Sequence, residues 1–229
     1  MIFSYFFADY YRKKHLKRLT HSSSIKDYLN HPLVKSNKLI KDLEFLVLDF
    51  ETTGLDADND RIISLGYTVI KNLHLLPKTS THVLINPKQQ LTEDNVGIHK
   101  LTDEELQNGV SLNCAMEGLL SEMAGRVIVV HFDVIEKSFI NRACLLLYQM
   151  KSLPMVMIDT LKIEQKKSQH IGPYVKQQSM RLYALREKYN LPRYRAHNAM
   201  QDAIATAELF LAQIDYIGRK HLIKLKDLI

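Results

Sequence analysis

The sequence is short of residues that cross-link a fold. Two cysteines, Cys114 and Cys144, occur in 229 residues. They are too few for a disulfide framework or a thiolate zinc site, so a reducing compartment is expected. No apolar run approaches the ~20 residues of a membrane span. The stretch Met1-Ile-Phe-Ser-Tyr-Phe-Phe is apolar before the chain turns basic. A secretory signal has the opposite order, so no export leader and a cytoplasmic location are expected. With 46% apolar and 24% charged residues, the chain is neither largely disordered nor collagen-like. Its length suits one full domain plus an appendage, or two small ones.

Charge is present but unevenly placed. The formal net charge is +6, and residues 1–42 hold nine Lys/Arg against three Asp, so the whole excess sits in that segment. A basic arm beside a neutral body suggests a polyanion partner. A competing reading is an amphipathic helix packed on the body through Phe3, Tyr5, Phe6, Phe7 and Tyr10. A third is a helix at a membrane surface.

Residues 1–42 read as one or two helices broken near Thr20–Ser24, with His31-Pro32 forcing an extended step. The body is expected from residue 43 to 214. Glu44–Phe50 reads as a buried strand. Arg61–Ile70 and Thr81–Ile85 follow as strands of an antiparallel meander joined across Lys71–Thr79. Ser111–Ala124 reads as a helix capped by Ser111 and stopped by Gly125. A strand at Arg126–Val130, a helix over Ile135–Met150, a strand at Met155–Ile158 and a helix from Asp159 or Thr160 come next. Lys166–Gln178 reads as a loop, and Met180–Tyr189 and Asn198–Ile214 as helices. The tail, 215–229, is expected to form a short packing helix. Three strands followed by alternating helix and strand predict an α/β fold, a mixed central sheet flanked by helices.

Three places hold chemistry. Asp49 and Glu51 are two apart in an apolar strand, and period-two alternation puts both carboxylates on one face. Like charges that close call for a cation, and oxygen donors suit magnesium or manganese. The alternative is a strand that ends at Leu48, leaving both acids solvated. His197 and Asp202 are five apart, about 140° around a continuous helix. They converge only if His197 lies in the loop before the helix. A histidine there can take a proton from water, or it can be a cap or surface residue. In the third place, Glu136 shares a helix face with Phe139 and Ile140. Asp133 is the competing acid and could instead cap the helix.

Together these residues resemble the DEDD 3′–5′ exonucleases of the histidine subtype, the group that includes the proofreading epsilon subunit of bacterial DNA polymerase III. Asp49-Phe-Glu51-Thr-Thr-Gly-Leu resembles the first motif. His197-Asn-Ala-Met-Gln-Asp202-Ala resembles the third. The middle motif departs from the family's His-Asn-x-x-Phe-Asp-x-x-Phe-Leu. Aligned on His131 and Phe139-Ile140, the acidic position falls on Glu136, with Phe132 for the usual Asn and Ile135 for the usual Phe.

The resemblance implies a ribonuclease H-like fold over residues 43–213. It implies two Mg²⁺ or Mn²⁺ ions held by Asp49, Glu51, Glu136 and Asp202, and His197 as general base. The implied reaction is hydrolysis at the 3′ end of single-stranded DNA, releasing nucleoside 5′-monophosphates. Thr52, Thr53, Leu55 and His99 are implied in placing the terminal nucleotide, and a DNA polymerase is an implied partner. The alternatives are an exoribonuclease of the same superfamily and a non-catalytic, polymerase-associated nucleic-acid-binding subunit. Asp159 is expected to cap a helix, His131 to be a hydrogen-bonded structural residue, and both cysteines to lie in the core.

Overall fold

A computed structural model describes residues 2–19, 23–88, 101–169, 180–194 and 197–229, with only the backbone for 2–6, 103, 168 and 169. His99 lies outside the described residues. The helices are α1 (Ile2–Leu16), α2 (Ser24–Asn30), α3 (Asp103–Gln107), α4 (Leu112–Met123), α5 (Asp133–Tyr148), α6 (Thr160–Gln169), α7 (Leu182–Lys188) and α8 (Ala199–Ile217). The strands are β1 (Glu44–Thr52), β2 (Ile62–Lys71), β3 (His74–Leu84), β4 (Val127–Val130) and β5 (Met157–Asp159). No helix among the described residues is long and apolar enough to cross a membrane.

The five strands form one sheet in the order β3-β2-β1-β4-β5. β1 pairs antiparallel with β2 and parallel with β4, and β4 pairs parallel with β5. The central strand β1 is apolar on both sides because both faces of the sheet are covered. Leu46, Leu48 and Phe50 enter one layer with α2, α4 and α5 through Leu29, Leu119 and Phe139. Phe45 and Val47 face the other layer, where α8 supplies Ala207, Phe210 and Ile214. The Phe45 and Phe210 rings meet edge-on at 5.2 Å. Asp49 and Glu51 continue the odd-numbered set, so alternation turns them toward α8.

Gly66 decides how closely α8 approaches. It pairs with Asp49 across β1 and β2, and a Cβ there would meet the backbone carbonyl carbon of Ala199 at 2.1 Å. Only glycine lets the first turn of α8 rest on the sheet beside Asp49.

Several expectations are corrected. The β2–β3 connection is not a long link but a tight turn at Asn72 and Leu73, both at positive φ. That conformation is usually signalled by glycine, and here neither residue is one. β3 therefore begins at His74, and Pro77 is accommodated because β3 is an edge strand. α6 continues to Gln169 through the stretch read as a loop; the rest of that loop lies outside the described residues. The short helix α3, with a Thr102–Glu105 capping box, was not anticipated. The tail is not a helix beyond α8. It runs extended against residues 36–40, with Ile40 N–H donating to Ile223 O and Leu225 N–H to Lys38 O, and ends in a 3₁₀ turn, Leu225–Asp227. Cys144 is buried but Cys114 is exposed. Of the aromatic residues expected to pack α1 on the body, Phe7 and Tyr10 are exposed; the side chains of Phe3, Tyr5 and Phe6 lie outside the described residues. Leu16 and Leu19 pack on the core instead.

Gly66→Ala is expected to cost about 1–3 kcal/mol of stability, because backbone must yield to the new methyl. Urea unfolding checks it; an unchanged midpoint would show that the contact is not tight.

Candidate active site

β1, β4 and β5 run parallel, and their carboxyl ends open onto one crevice, where open α/β sheets place ligands. Asp49 and Glu51 reach it from β1. Asp202 reaches it from the first turn of α8. One carboxylate oxygen from each of the three lies within 4.8 Å of the others. Glu51 and Asp202 are buried, and Asp49 is partly exposed.

Glu136 arrives from the first turn of α5, on the far layer. It is buried, and its Oε2 has no hydrogen-bond partner among the described residues. Its charge is felt at Asp49, whose carboxyl is held well above the usual range by burial and then by Glu136, Asp202 and Glu51. Burial pushes Glu136 itself up to about 8, with Asp159 and Asp133 adding to the rise and its own backbone N–H opposing it. Asp133, the competing acid, is turned elsewhere: Lys162 Nζ donates to both its oxygens at 2.7 and 2.6 Å.

Asp202 is the best-supported member. The Tyr183 hydroxyl donates to its Oδ1, and the His197 backbone N–H donates to its Oδ2 at 2.9 Å. Burial raises its pKa, and these two donors pull against that rise. His197 lies in the lead-in to α8, at φ 66°, with an exposed side chain. Asn198 follows as the helix cap, its side chain accepting from Gln201 N–H.

The remaining site candidates are placed as follows. Thr52 Oγ1 donates to Gly54 O at 2.6 Å. Thr53 Oγ1 donates to Asp60 and accepts from Arg61 N–H. Both hydroxyls close the loop after β1, while Leu55 stands 76% exposed on it. His131 bridges Thr160 Oγ1 and Met180 O, tying the end of β4 to the segment that carries Tyr183.

Two supporting residues were not legible as such. Asp159 caps the helix that follows it, its Oδ1 accepting from Leu161 N–H, but it also caps α5: Oδ1 accepts from Phe132 N–H at 2.9 Å and Oδ2 from Asp133 N–H at 3.1 Å. It thereby fixes the turn that presents Glu136. Tyr183 carries no motif; its partner Asp202 is 19 residues away.

A set of oxygen donors, crowded and with one buried oxygen unpartnered, fits hard divalent cations. Asp49, Glu51, Glu136 and Asp202 are the residues placed to hold them.

This sheet order, with acids at the carboxyl ends of its parallel strands, belongs to the ribonuclease H-like nucleases. Residues 46–210 match the RNase_T family, described as Exonuclease. The chain is 29% identical over 186 residues to a PolC-type DNA polymerase III of Thermotoga petrophila, covering 80% of this chain and 13% of that protein. It is 29% identical over 177 residues to DNA polymerase III subunit epsilon of Treponema pallidum, covering 77% of this chain and 79% of that one. The solved nuclease domain of 3′hExo, a DEDDh family member bound to rAMP, is similar with a TM-score of 0.64, at 15% identity over 78% of this chain and 94% of that domain. The chain belongs to the RNase_T exonuclease family. It spans 13% of the length of the PolC-type relative.

An acid with a raised folded pKa holds its proton more tightly when folded, so stability is lost as pH rises from the unfolded value through the folded one. For Glu136 that window runs from 4.5 to about 8. Metal-free protein should therefore melt at a higher temperature near pH 5.5 than near pH 8, with a slope of up to about 1.4 kcal/mol per pH unit for each such group. Calorimetry in EDTA checks this; a melting temperature that rises across the window contradicts it.

Proposed function

We propose that the protein removes nucleotides from the 3′ end of single-stranded DNA, releasing nucleoside 5′-monophosphates. The observation that carries the reading is the convergence of Asp49, Glu51 and Asp202 within 4.8 Å, beside the unpartnered Glu136 oxygen.

In this reading the four carboxylates hold two divalent cations. When bound, these ions offset the acids' charge, acidify the attacking water and stabilise the leaving oxygen. His197 takes the proton from that water as general base. Its position suits the role: the imidazole is open to solvent, and its own backbone N–H is tied to Asp202. Glu136 replaces the shorter aspartate of the family pattern and carries the same charge on a longer stem. Leu55 offers an exposed apolar surface for the terminal base, with the Thr52–Thr53 loop placing the sugar and phosphate. His99 joins them on its motif alone. The preference for DNA is supported by relatives that are DNA polymerase III chains, and those names also support a polymerase partner and a cytoplasmic setting.

The test is a gel assay on 5′-labelled single-stranded DNA and a matched RNA, with Mg²⁺, Mn²⁺ or EDTA. The expected result is a ladder shortening from the 3′ end, absent in EDTA and reduced about 10²–10⁴-fold in His197→Ala. No ladder on either nucleic acid with either metal would overturn the reading in favour of a non-catalytic binding subunit. A ladder on RNA alone would overturn the DNA assignment.

Tyr183→Phe removes a donor to Asp202 while keeping the ring. Loss of such support typically weakens metal binding about 10–100-fold. The Mn²⁺ concentration for half-maximal activity should rise accordingly, and an unchanged metal requirement would contradict a supporting role for the tyrosine.

A further inference from the structure

We propose that the groove between α1 and the body binds the phosphate backbone of the strand as it leads away from the active site; this rests on the exonuclease reading of that site. α1 is pinned by one stripe of its surface. Arg12 is buried and donates to Leu29 O, and Leu16 and Leu19 pack on the core. About a quarter turn away, Tyr11, Lys14 and His15 form a second stripe at helical spacing, continued by Arg18 in the turn that follows α1. That stripe lines a groove of about 810 Å³ whose opposite wall includes Lys137 and Lys151.

The groove is electrostatically one-sided. Lys14, Arg18, Lys137 and Lys151 are exposed, and none makes a salt bridge with a described residue. Among the described residues, the one carboxylate on its wall, Asp133, is neutralised by Lys162. His15 registers the field: its pKa is lowered by burial and then by Arg18 and Lys14. Four cations facing one another across a concave surface repel unless a polyanion joins them.

Position identifies the polyanion. Asp133 and Lys137 line the groove, and Glu136, in the same turn of α5, meets the acidic crevice. Groove and crevice thus adjoin the same turn of α5, whose i, i+3 and i+4 positions are neighbours. A strand with its 3′ end in the crevice has its next phosphates at the mouth of the groove. Tyr11, half exposed among the cations, gives a face on which a base can stack, the pairing of ring and charge common to single-strand binding surfaces. The family match covers residues 46–210, so the α1 wall lies outside it.

The test measures binding of fluorescein-labelled (dT)₂₀ to the full chain by anisotropy in EDTA, where the strand is not cleaved, across a salt series. Each phosphate contact on a single strand contributes about −0.7 to the slope of log K against log salt. Lys14→Ala/Arg18→Ala and Lys137→Ala/Lys151→Ala should therefore each flatten that slope by about 1.4 and weaken binding at low salt. All four side chains are exposed, so folding is not at stake. An unchanged slope in either pair overturns the groove. Binding to phosphatidylserine vesicles without binding to (dT)₂₀ overturns it in favour of a membrane face. Hydrolysis of thymidine 5′-monophosphate p-nitrophenyl ester by the wild-type chain with Mn²⁺ tests the active site separately. Unchanged slopes with intact ester hydrolysis sink the groove alone; flattened slopes without hydrolysis sink the exonuclease reading and, with it, the groove's role as a substrate path.

Discussion

Repulsion among buried carboxylates is the interaction around which this molecule is arranged. Two unit charges about 4 Å apart oppose each other by roughly 4 kcal/mol at the screening typical of a protein surface. Asp49, Glu51 and Asp202 are held at about that separation, with Glu136 close enough to raise Asp49 further. Their positions are fixed by parts of the fold that do not themselves profit from the cluster. Core packing of Phe45 and Val47 against α8 sets the face on which Asp49 and Glu51 emerge. Gly66 lets the first turn of α8 come down onto the sheet. Asp159 takes the leading N–H groups of α5 and so aims Glu136. A site strained in this way is relieved by cations, which connects the acids' raised pKa values to metal dependence.

Much of this was readable along the chain. Two acids at period two share one face if the apolar strand continues past Leu48, and the five-residue step from His197 to Asp202 required a break between loop and helix if the two were to meet. Both are local patterns, written by the geometry of strand and helix. Less legible were contacts whose partners are distant in sequence. Asp159 looks like a cap for the helix that follows it, and its Oδ1 does accept from Leu161 N–H. Its bonds to Phe132 and Asp133, 26–27 residues earlier, depend on β4 and β5 lying side by side. Tyr183 reads as an ordinary helix residue until α7 is packed against α8.

The failures of local reading are as informative. Asn72 and Leu73 make a tight turn without glycine, so the hairpin left no composition signal. The apolar tail residues Ile223, Leu225 and Leu228 suggested a helix, but the tail forms a single 3₁₀ turn, Leu225–Asp227, held by backbone pairing along residues 36–40. Phe7 and Tyr10 of α1 were expected on a packing face, yet both are exposed, and among the described side chains of that helix it is an arginine, Arg12, that is buried, satisfied by Asp9 and Leu29 O. That choice leaves Lys14 of α1, and Arg18 in the turn after it, facing the body across a groove.

The central claim is that four carboxylates act as one cation site and that Glu136, not Asp133, is the fourth. Calorimetric titration of the metal-free chain with Mn²⁺ tests it most directly. The account predicts two ions per chain, loss of at least one of them or a steep fall in affinity in Glu136→Gln, and wild-type binding in Asp133→Asn. Wild-type binding in Glu136→Gln together with lost binding in Asp133→Asn would contradict it.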